Sequence, residues 1–283
     1  LEVDGAAPFA GCNSAAEVAA VLQGDKDRDA EITSAIAKAF ANEADKHRIG
    51  EGTPIPADKN ATVPLEPGYY LFVDTEEIGE GAYDAYNPAL LQVTNHTITI
   101  TAKYDKPKVE KKVKDTEDGG LGDAVDVAVG DKAYFVLSGT LPMNLGDYDS
   151  YAYTFHDTLS AGLKYNGDVK VYLAAKDADG KPVMAGRTEI TAGFTVTPDS
   201  APLAGGGKLT VDFKNLKAVD GVTADSVILV EYSATLTEAA VAGNPGNPNT
   251  VKLEYSNNPN TSGGGEPSTG ETPEDTVYVF TYG

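Results

Sequence analysis

The stretch from Thr250 to Asn257 reads Thr-Val-Lys-Leu-Glu-Tyr-Ser-Asn, and its side chains alternate in character along the chain. Successive side chains of a β-strand point to opposite faces, so every second residue shares a face. One face carries Val251, Leu253, Tyr255 and Asn257. The alternation predicts a half-buried strand whose apolar face lies in a core. Asn257 is then a carboxamide on the buried face.

Two other segments place a polar residue on a predicted core face in the same way. Val109 and Val113 flank Lys111 at strand spacing, and Phe155 precedes Asp157 by two residues. Because alternate residues share a face, Lys111 and Asp157 are both expected to point inward. The three segments therefore supply an amine, a carboxyl and a carboxamide to one predicted core.

The chain from residue 105 onward has strand patterns separated by turns rich in Gly, Pro and Asp. This pattern is typical of an antiparallel β-sandwich. The nine predicted strands are 108–113, 132–141, 151–155, 169–174, 188–196, 208–213, 227–236, 250–255 and 277–282. The segment 258–274 is rich in Gly, Ser, Pro and Thr and is predicted to be a long surface loop.

The first hundred residues are predicted to form a separate domain with helices as well as strands. Ser14-Ala15-Ala16-Glu17 fits a capping box, and 29–47 has apolar residues at helical spacing. Strands are expected at 69–73, 89–93 and 97–100. The predicted fold is mainly β, with two β-sandwich domains at 1–104 and 105–283, the first of which has a helical insertion.

Composition narrows the function classes. The chain has 283 residues with 43 acidic and 22 basic side chains, a formal net charge of −21. Such a surface argues against binding to nucleic acid or to anionic lipid. One cysteine excludes an intrachain disulfide, and no apolar run is long enough to span a membrane. The three histidines are scattered, so neither a metal site nor a cofactor site is predicted.

The three buried polar groups suggest a chemical reaction within the chain. Burial lowers the pKa of a lysine, and the neutral amine of Lys111 would be a nucleophile. A protonated Asp157 could polarise the Asn257 carboxamide and transfer protons as ammonia leaves. The product would be a Lys–Asn amide. Strand spacing alone also allows Lys111 to be an edge residue that reaches solvent, and Asp157 to be a turn residue.

Several segments together resemble the isopeptide-forming middle domain, or D2 domain, of Gram-positive sortase-assembled pilins. These segments are PKVEKKVKD (107–115), VGDKAYFVLSGTLP (129–142), YTFHDTLSAGL (153–163), YSATLTE (232–238) and GNPNTVKLEYSNNP (246–259). The resemblance implies a bond from Lys111 to the Asn of the Tyr-Ser-Asn motif, Asn257, with Asp157 as the catalyst. Lys112 and Asn258 are the neighbouring alternatives, which the strand alternation disfavours.

The resemblance extends to the N-terminal domain of such pilins through LEPGYYLFVDT at 65–75. It implies that the two predicted sandwich domains are Ig-like or Cna-type. The opening strands of that domain and the C-terminal sorting domain are not recognised, so the sequence is expected to be a fragment of a longer protein. The junction lacks an intact Tyr-Pro-Lys pilin motif, but Lys103 and Lys106 lie there. They are the candidate lysines for linkage to another subunit.

The resulting prediction is a structural protein of the cell surface or cell wall, a pilus subunit that a sortase joins to other pilin subunits. Its chemistry would be one self-crosslinking event rather than turnover, so it is not predicted to be an enzyme. The alternative is a cell-wall-anchored adhesin that binds a host glycan or protein. An exposed aromatic patch from Tyr83, Tyr86, Tyr148 and Tyr151 would favour that alternative.

Overall fold

A computed structural model gives the structure of the chain. It describes residues 14, 17, 52–55, 63–66, 68–72, 89–93, 106–198, 205–259 and 268–282. The chain divides into two compact units. Unit 1 comprises Leu1–Glu77 with Ala85–Lys103, and unit 2 comprises Ile78–Asp84 with Tyr104–Gly283.

The described part of unit 1 contains an antiparallel pair of strands. Strand β1 (Gly68–Phe72) pairs with β2 (Ala89–Val93), so two of the three strands predicted here are confirmed. The predicted strand at 97–100 and the predicted helix at 29–47 lie outside the described residues. Of the helical insertion, the described residues include only the capping box, where the Glu17 N–H donates to Ser14 Oγ at 3.2 Å.

Unit 2 contains thirteen strands among its described residues. They are β3 (Val109–Lys114), β4 (Ala124–Asp126), β5 (Lys132–Thr140), β6 (Tyr153–Leu159), β7 (Leu163–Tyr165), β8 (Lys170–Lys176), β9 (Pro182–Ile190), β10 (Thr195–Thr197), β11 (Gly207–Phe213), β12 (Ser226–Leu236), β13 (Asn247–Ser256), β14 (Thr269–Glu271) and β15 (Asp275–Phe280). Two short 3₁₀ helices, Leu145–Asp147 and Leu216–Ala218, lie in its loops.

These strands form two sheets. Sheet I has the order β10-β11-β6-β13-β15-β4, with β14 paired to β13. Sheet II has the order β3-β5-β12-β8-β9, with β7 paired to β12. Neighbours are antiparallel except β15 and β4, which are parallel. Most neighbours in the sheets are not consecutive in sequence, so residues far apart in the chain meet in the core.

The core lies between the two sheets, and the alternation in the sequence explains which side chains enter it. Along β6 the odd-numbered residues are buried and the even-numbered ones are partly or fully exposed. Strand β13 alternates in the same way from Asn247 to Tyr255. Burial of such an apolar face stabilises the fold by about 25 cal/mol for each Å² removed from water.

Gly139 of β5 shows how closely the sheets approach. A Cβ at this position would overlap the hydroxyl of Tyr153 and would lie 2.9 Å from Cζ of Phe155 in the opposite sheet. Real Cβ atoms do not tolerate such a contact, so the position needs glycine. Tyr153 donates from its hydroxyl to the Thr140 carbonyl at 2.9 Å, which fixes the ring over this gap.

Each predicted strand of unit 2 overlaps a strand of the structure, but one of them is divided between the two sheets. The predicted strand at 188–196 is two strands, because β9 ends at Ile190 in sheet II and β10 begins at Thr195 in sheet I. Gly193, at φ +90°, allows the backbone to turn between the sheets. The segment predicted as a long loop contains β14 at Thr269–Glu271.

Candidate functional site

Four polar side chains meet inside the core of unit 2. Each comes from a different strand: Lys111 from β3, Asp157 from β6, Tyr232 from β12 and Asn249 from β13. None is more than 4% exposed. Lysine and aspartate are rarely buried to this degree unless they are paired, so the group marks a special site in an otherwise apolar core.

Hydrogen bonds connect all four side chains. Lys111 Nζ donates to Asp157 Oδ2 at 2.6 Å and to the Tyr232 hydroxyl at 3.2 Å. The Tyr232 hydroxyl donates to Asp157 Oδ2 at 2.7 Å and accepts from Asn249 Nδ2 at 2.6 Å. The Tyr232 oxygen therefore touches the amine, the carboxyl and the carboxamide together.

The register of the strands explains why these residues meet. In sheet I, Asp157 lies opposite Val251 and Asn249 lies opposite Leu159, so the two side chains are diagonal neighbours on one face. Diagonal neighbours in a sheet are about 7–8 Å apart at their backbones, which is within reach of polar side chains. Lys111 and Tyr232 approach the same point from sheet II.

Aromatic rings enclose the amine of Lys111. Its Nζ lies 5.2 Å from the ring centroid of Phe135 and 5.4 Å from that of Tyr232. Burial lowers the pKa of Lys111, and this effect outweighs the opposing pull of the Asp157 carboxyl. A lysine with a lowered pKa exists more readily as the neutral amine, which is the nucleophilic form.

Strand β3 is an edge strand of sheet II, and a side chain from sheet I covers its open edge at the site. The backbone N–H of Lys111 donates to Asp275 Oδ2 at 2.6 Å. Two residues further on, Val113 exchanges backbone hydrogen bonds with Gly122 at 2.8 and 3.0 Å. These contacts fix the backbone at Lys111 and just after it, and therefore the direction of its side chain.

Two oxygen atoms of the cluster are buried without a hydrogen-bond partner, Asp157 Oδ1 and Asn249 Oδ1. A buried acceptor without a donor costs about 1–3 kcal/mol. A proton on the Asp157 carboxyl would supply a donor to this oxygen-rich part of the site. The arrangement thus combines a nucleophilic amine, a carboxamide electrophile and a carboxyl that can carry protons between them.

Asn257, which was expected to receive the amine, lies just beyond the end of β13. The structure brings Lys111 and Asp157 together but does not bring Asn257 to them. Tyr255 pairs with Tyr153 at the far end of β6, so Asn257 is six residues from the position opposite Asp157, about 20 Å along the strand. Its Oδ1 instead accepts a hydrogen bond from Ser268 Oγ at 2.7 Å. This bond ties the end of β13 to the returning chain.

The inward direction of Asn257 is correct, since the side chain is only 2% exposed. Asn249 shares its face and is fully buried. Strand alternation repeats every two residues and therefore does not distinguish these two asparagines. The signal that could have found Asn249 is its position within the matching segment GNPNTVKLEYSNNP, two residues before Val251.

The neighbouring alternatives lie outside the cluster. Lys112 points away from the core, where its Nζ contacts Asp123 Oδ1 at 2.7 Å and Glu110 Oε1 at 2.9 Å. Asn258 is half-buried beyond the end of β13. Of the two candidate linkage lysines, Lys106 is half-buried just before β3 and Lys103 lies outside the described residues.

Two of the four tyrosines of the expected aromatic patch, Tyr148 and Tyr151, do not lie on the surface. Tyr148 and Tyr151 are buried, with their rings in edge contact at a centroid distance of 4.9 Å. Their place in the core explains why they form no exposed surface. Tyr83 and Tyr86 lie outside the described residues.

The residues that the structure describes contain no group of three or more His, Cys, Asp or Glu side chains arranged to hold a metal ion. No helix among them has the length and apolar character needed to cross a membrane.

The buried phenols predict a fall in stability at alkaline pH. Burial raises the pKa of Tyr153 and Tyr232 well above the usual value near 10. Above pH 10 the unfolded chain loses these protons while the folded chain keeps them, so the free energy of unfolding falls as pH rises. Each phenol contributes about 1.4 kcal/mol per pH unit. Urea unfolding between pH 9 and 11 measures this slope.

Tyr153→Phe should make that slope shallower by one phenol. Tyr282→Phe is the matched control, because Tyr282 is 79% exposed and its phenol is solvated in both states. Equal slopes for Tyr153→Phe and the wild type would contradict the prediction.

The comparisons with known proteins agree with this architecture. Residues 141–259 match the family model described as Gram-positive pilin backbone subunit 2, Cna-B-like domain. The match includes Asp157, Tyr232 and Asn249. No curated protein matches the sequence significantly. This part of unit 2 is therefore similar to the Cna-B-like domain of that family.

The fold is similar to that of one solved pilin, and two further solved pilins match it less closely. The T6 backbone pilin of Streptococcus pyogenes is 19% identical, with a TM-score of 0.52 over 90% of this chain and 55% of that one. The major pilin BcpA of Bacillus cereus is 22% identical over 77% of this chain and 56% of that one, with a TM-score of 0.49. A fragment of the major pilin GBS80 of Streptococcus agalactiae is 23% identical over 63% of this chain and 57% of that one, with a TM-score of 0.42. The chain thus spans little more than half the length of these chains.

Proposed function

We propose that this chain is part of a structural subunit of a Gram-positive pilus, and that unit 2 forms an intramolecular isopeptide bond between Lys111 and Asn249 with Asp157 as catalyst. The observation that carries the bond is the buried contact of Lys111 with Asp157 at 2.6 Å, joined through Tyr232 to Asn249. The pilin family match of residues 141–259 supports the subunit role.

The reaction begins with the buried ion pair. Proton transfer from the Lys111 ammonium to the Asp157 carboxylate gives two neutral groups, which a site of low polarity favours. Lys111 Nζ then attacks Asn249 Cγ and forms a new C–N bond. The bond from Cγ to Nδ2 breaks as Nδ2 takes up the proton that Asp157 held, the attacking nitrogen gives its second proton back to Asp157, and ammonia leaves. The product is a secondary amide, so the buried charges are gone.

The position of the bond suits a load-bearing subunit. Lys111 belongs to the first strand of unit 2 that the structure describes, at the edge of sheet II. Asn249 belongs to β13, inside sheet I. A covalent link between them joins the two sheets across the core. Tension along the chain would then pass through this link instead of peeling β3 from the sandwich.

The proposed subunit would be joined to other pilin subunits by a sortase and exposed at the cell surface. Lys103 and Lys106 remain the candidate lysines for that linkage. Both precede β3 in the chain, so a subunit attached there would pull on the strand that carries Lys111. The crosslink is therefore placed where the imposed force would first act.

Intact-mass measurement tests the crosslink directly. The folded wild-type chain is expected to be lighter than its sequence mass by one molecule of ammonia, and Asn249→Ala should restore the full mass. Asn257→Ala is the matched control, since it removes another buried asparagine, just beyond the end of the same strand, and should keep the deficit. Full mass in the wild type, or loss of the deficit in Asn257→Ala alone, would overturn the assignment.

A further inference from the structure

The proposed crosslink needs a proton at the leaving nitrogen, and the structure contains a group placed to deliver it. Ammonia leaves only after Nδ2 of Asn249 has gained a proton, because an amide anion is a very poor leaving group. The hydroxyl of Tyr232 lies 2.6 Å from that nitrogen and 2.7 Å from Asp157 Oδ2. It is the polar group that connects the two.

We infer that Tyr232 is a catalytic residue of the crosslinking reaction, which relays the proton from Asp157 to the leaving nitrogen of Asn249. This inference rests on the proposed Lys111–Asn249 bond and adds a fourth participant to it. The Tyr232 oxygen also lies 3.2 Å from Lys111 Nζ, so it contacts both reacting nitrogens.

Asp157 holds the proton received from Lys111, and Lys111 Nζ bonds to Asn249 Cγ. The Tyr232 hydroxyl turns about its C–O bond, donates its own proton to Nδ2 and accepts the proton of Asp157. The Cγ–Nδ2 bond breaks and ammonia departs. The second proton of the attacking nitrogen passes to the Asp157 carboxylate. Tyr232 ends as a neutral phenol, as it began.

The surroundings of Tyr232 suit this role. Its ring stacks on Phe135 with centroids 5.2 Å apart and meets Tyr165 edge-on at 5.7 Å. These contacts fix the position of the hydroxyl while leaving its rotation about the C–O bond free. Burial raises the pKa of the phenol well above its usual value, which keeps the proton available for transfer at neutral pH.

Tyr232→Phe tests the relay, because it removes the hydroxyl and keeps the stacked ring. Chains made by pulsed cell-free synthesis are sampled over time by intact mass, so that the rate of ammonia loss is measured. General acid–base catalysis contributes about 10²–10⁴-fold, so we expect the variant to react at least a hundredfold more slowly. Tyr153→Phe is the matched control, since it removes another buried tyrosine hydroxyl, and it should react at the wild-type rate.

A fluorinated tyrosine placed at position 232 separates a proton-transfer role from a packing role. It retains the shape of the residue and makes the phenol more acidic, so the rate should change with phenol acidity at 232 but not at 153. It also serves as the test if Tyr232→Phe fails to fold.

The outcomes distinguish the relay from the crosslink itself. If the wild type and Tyr232→Phe lose ammonia at the same rate, the relay is wrong and the crosslink is still supported. A rate that does not depend on fluorination at 232 likewise argues against the relay. A wild-type chain at full mass overturns the crosslink and the relay together.

Discussion

Replacing Asn249 with alanine is expected to lower the free energy of unfolding by about 5 kcal/mol relative to the crosslinked wild type. The bond would close a loop of about 140 residues, and restricting the unfolded chain to that degree corresponds to about 5 kcal/mol by analogy with disulfides. Chemical denaturation of both chains measures the difference. The variant should also show the full sequence mass.

Asn257→Ala provides the comparison for this stability effect. It removes the hydrogen bond between Asn257 Oδ1 and Ser268 Oγ, so it should cost only about 1–3 kcal/mol. Equal losses at the two positions would contradict the special role of Asn249. Force spectroscopy adds an independent measurement, because a bond from 111 to 249 would withhold about 450–500 Å of extension from the stretched chain.

Replacing Asp157 with alanine is expected to destabilise the protein further than the loss of Asn249. The crosslink would not form, and the amine of Lys111 would stay in the core without its partner at 2.6 Å. Breaking a buried ion pair by removing one member costs about 3–5 kcal/mol beyond the loss of the bond. Denaturation midpoints and intact mass of the variant test both parts.

A double variant separates the two contributions of Asp157. In Lys111→Met with Asp157→Leu, neither a buried charge nor a crosslink is present, so stability should recover to near that of Asn249→Ala. If the Asp157→Ala variant still lost ammonia at the wild-type rate, the Asp157 carboxyl would be ruled out as the catalyst.

Strand alternation was sufficient to predict the β-sandwich and the inward direction of Lys111, Asp157 and Asn257. The alternation expresses local geometry, which depends only on neighbouring residues. The choice between Asn249 and Asn257 depends on the register of β13 against β6. A shift of the register by two residues keeps the same side chains on the buried face, so the alternation along one strand does not determine the register.

Tyr232 was missed for a related reason. In sequence it is one apolar-looking residue in a strand that is buried along most of its length. Its importance arises from a hydroxyl that meets groups on three other strands. The three-residue strands β4, β7 and β14 were missed because they are too short to show a period.

The four site residues come from four different strands, so the crosslinking reaction depends on correct folding of the whole domain. Lys111, Asp157, Tyr232 and Asn249 meet only when both sheets have the native pairing. A chain trapped in a shifted register would not react. The lost ammonia would then be a permanent record that a molecule has reached its native state at least once. Because an amide bond does not reverse on unfolding, each crosslinked molecule would carry that history in its mass.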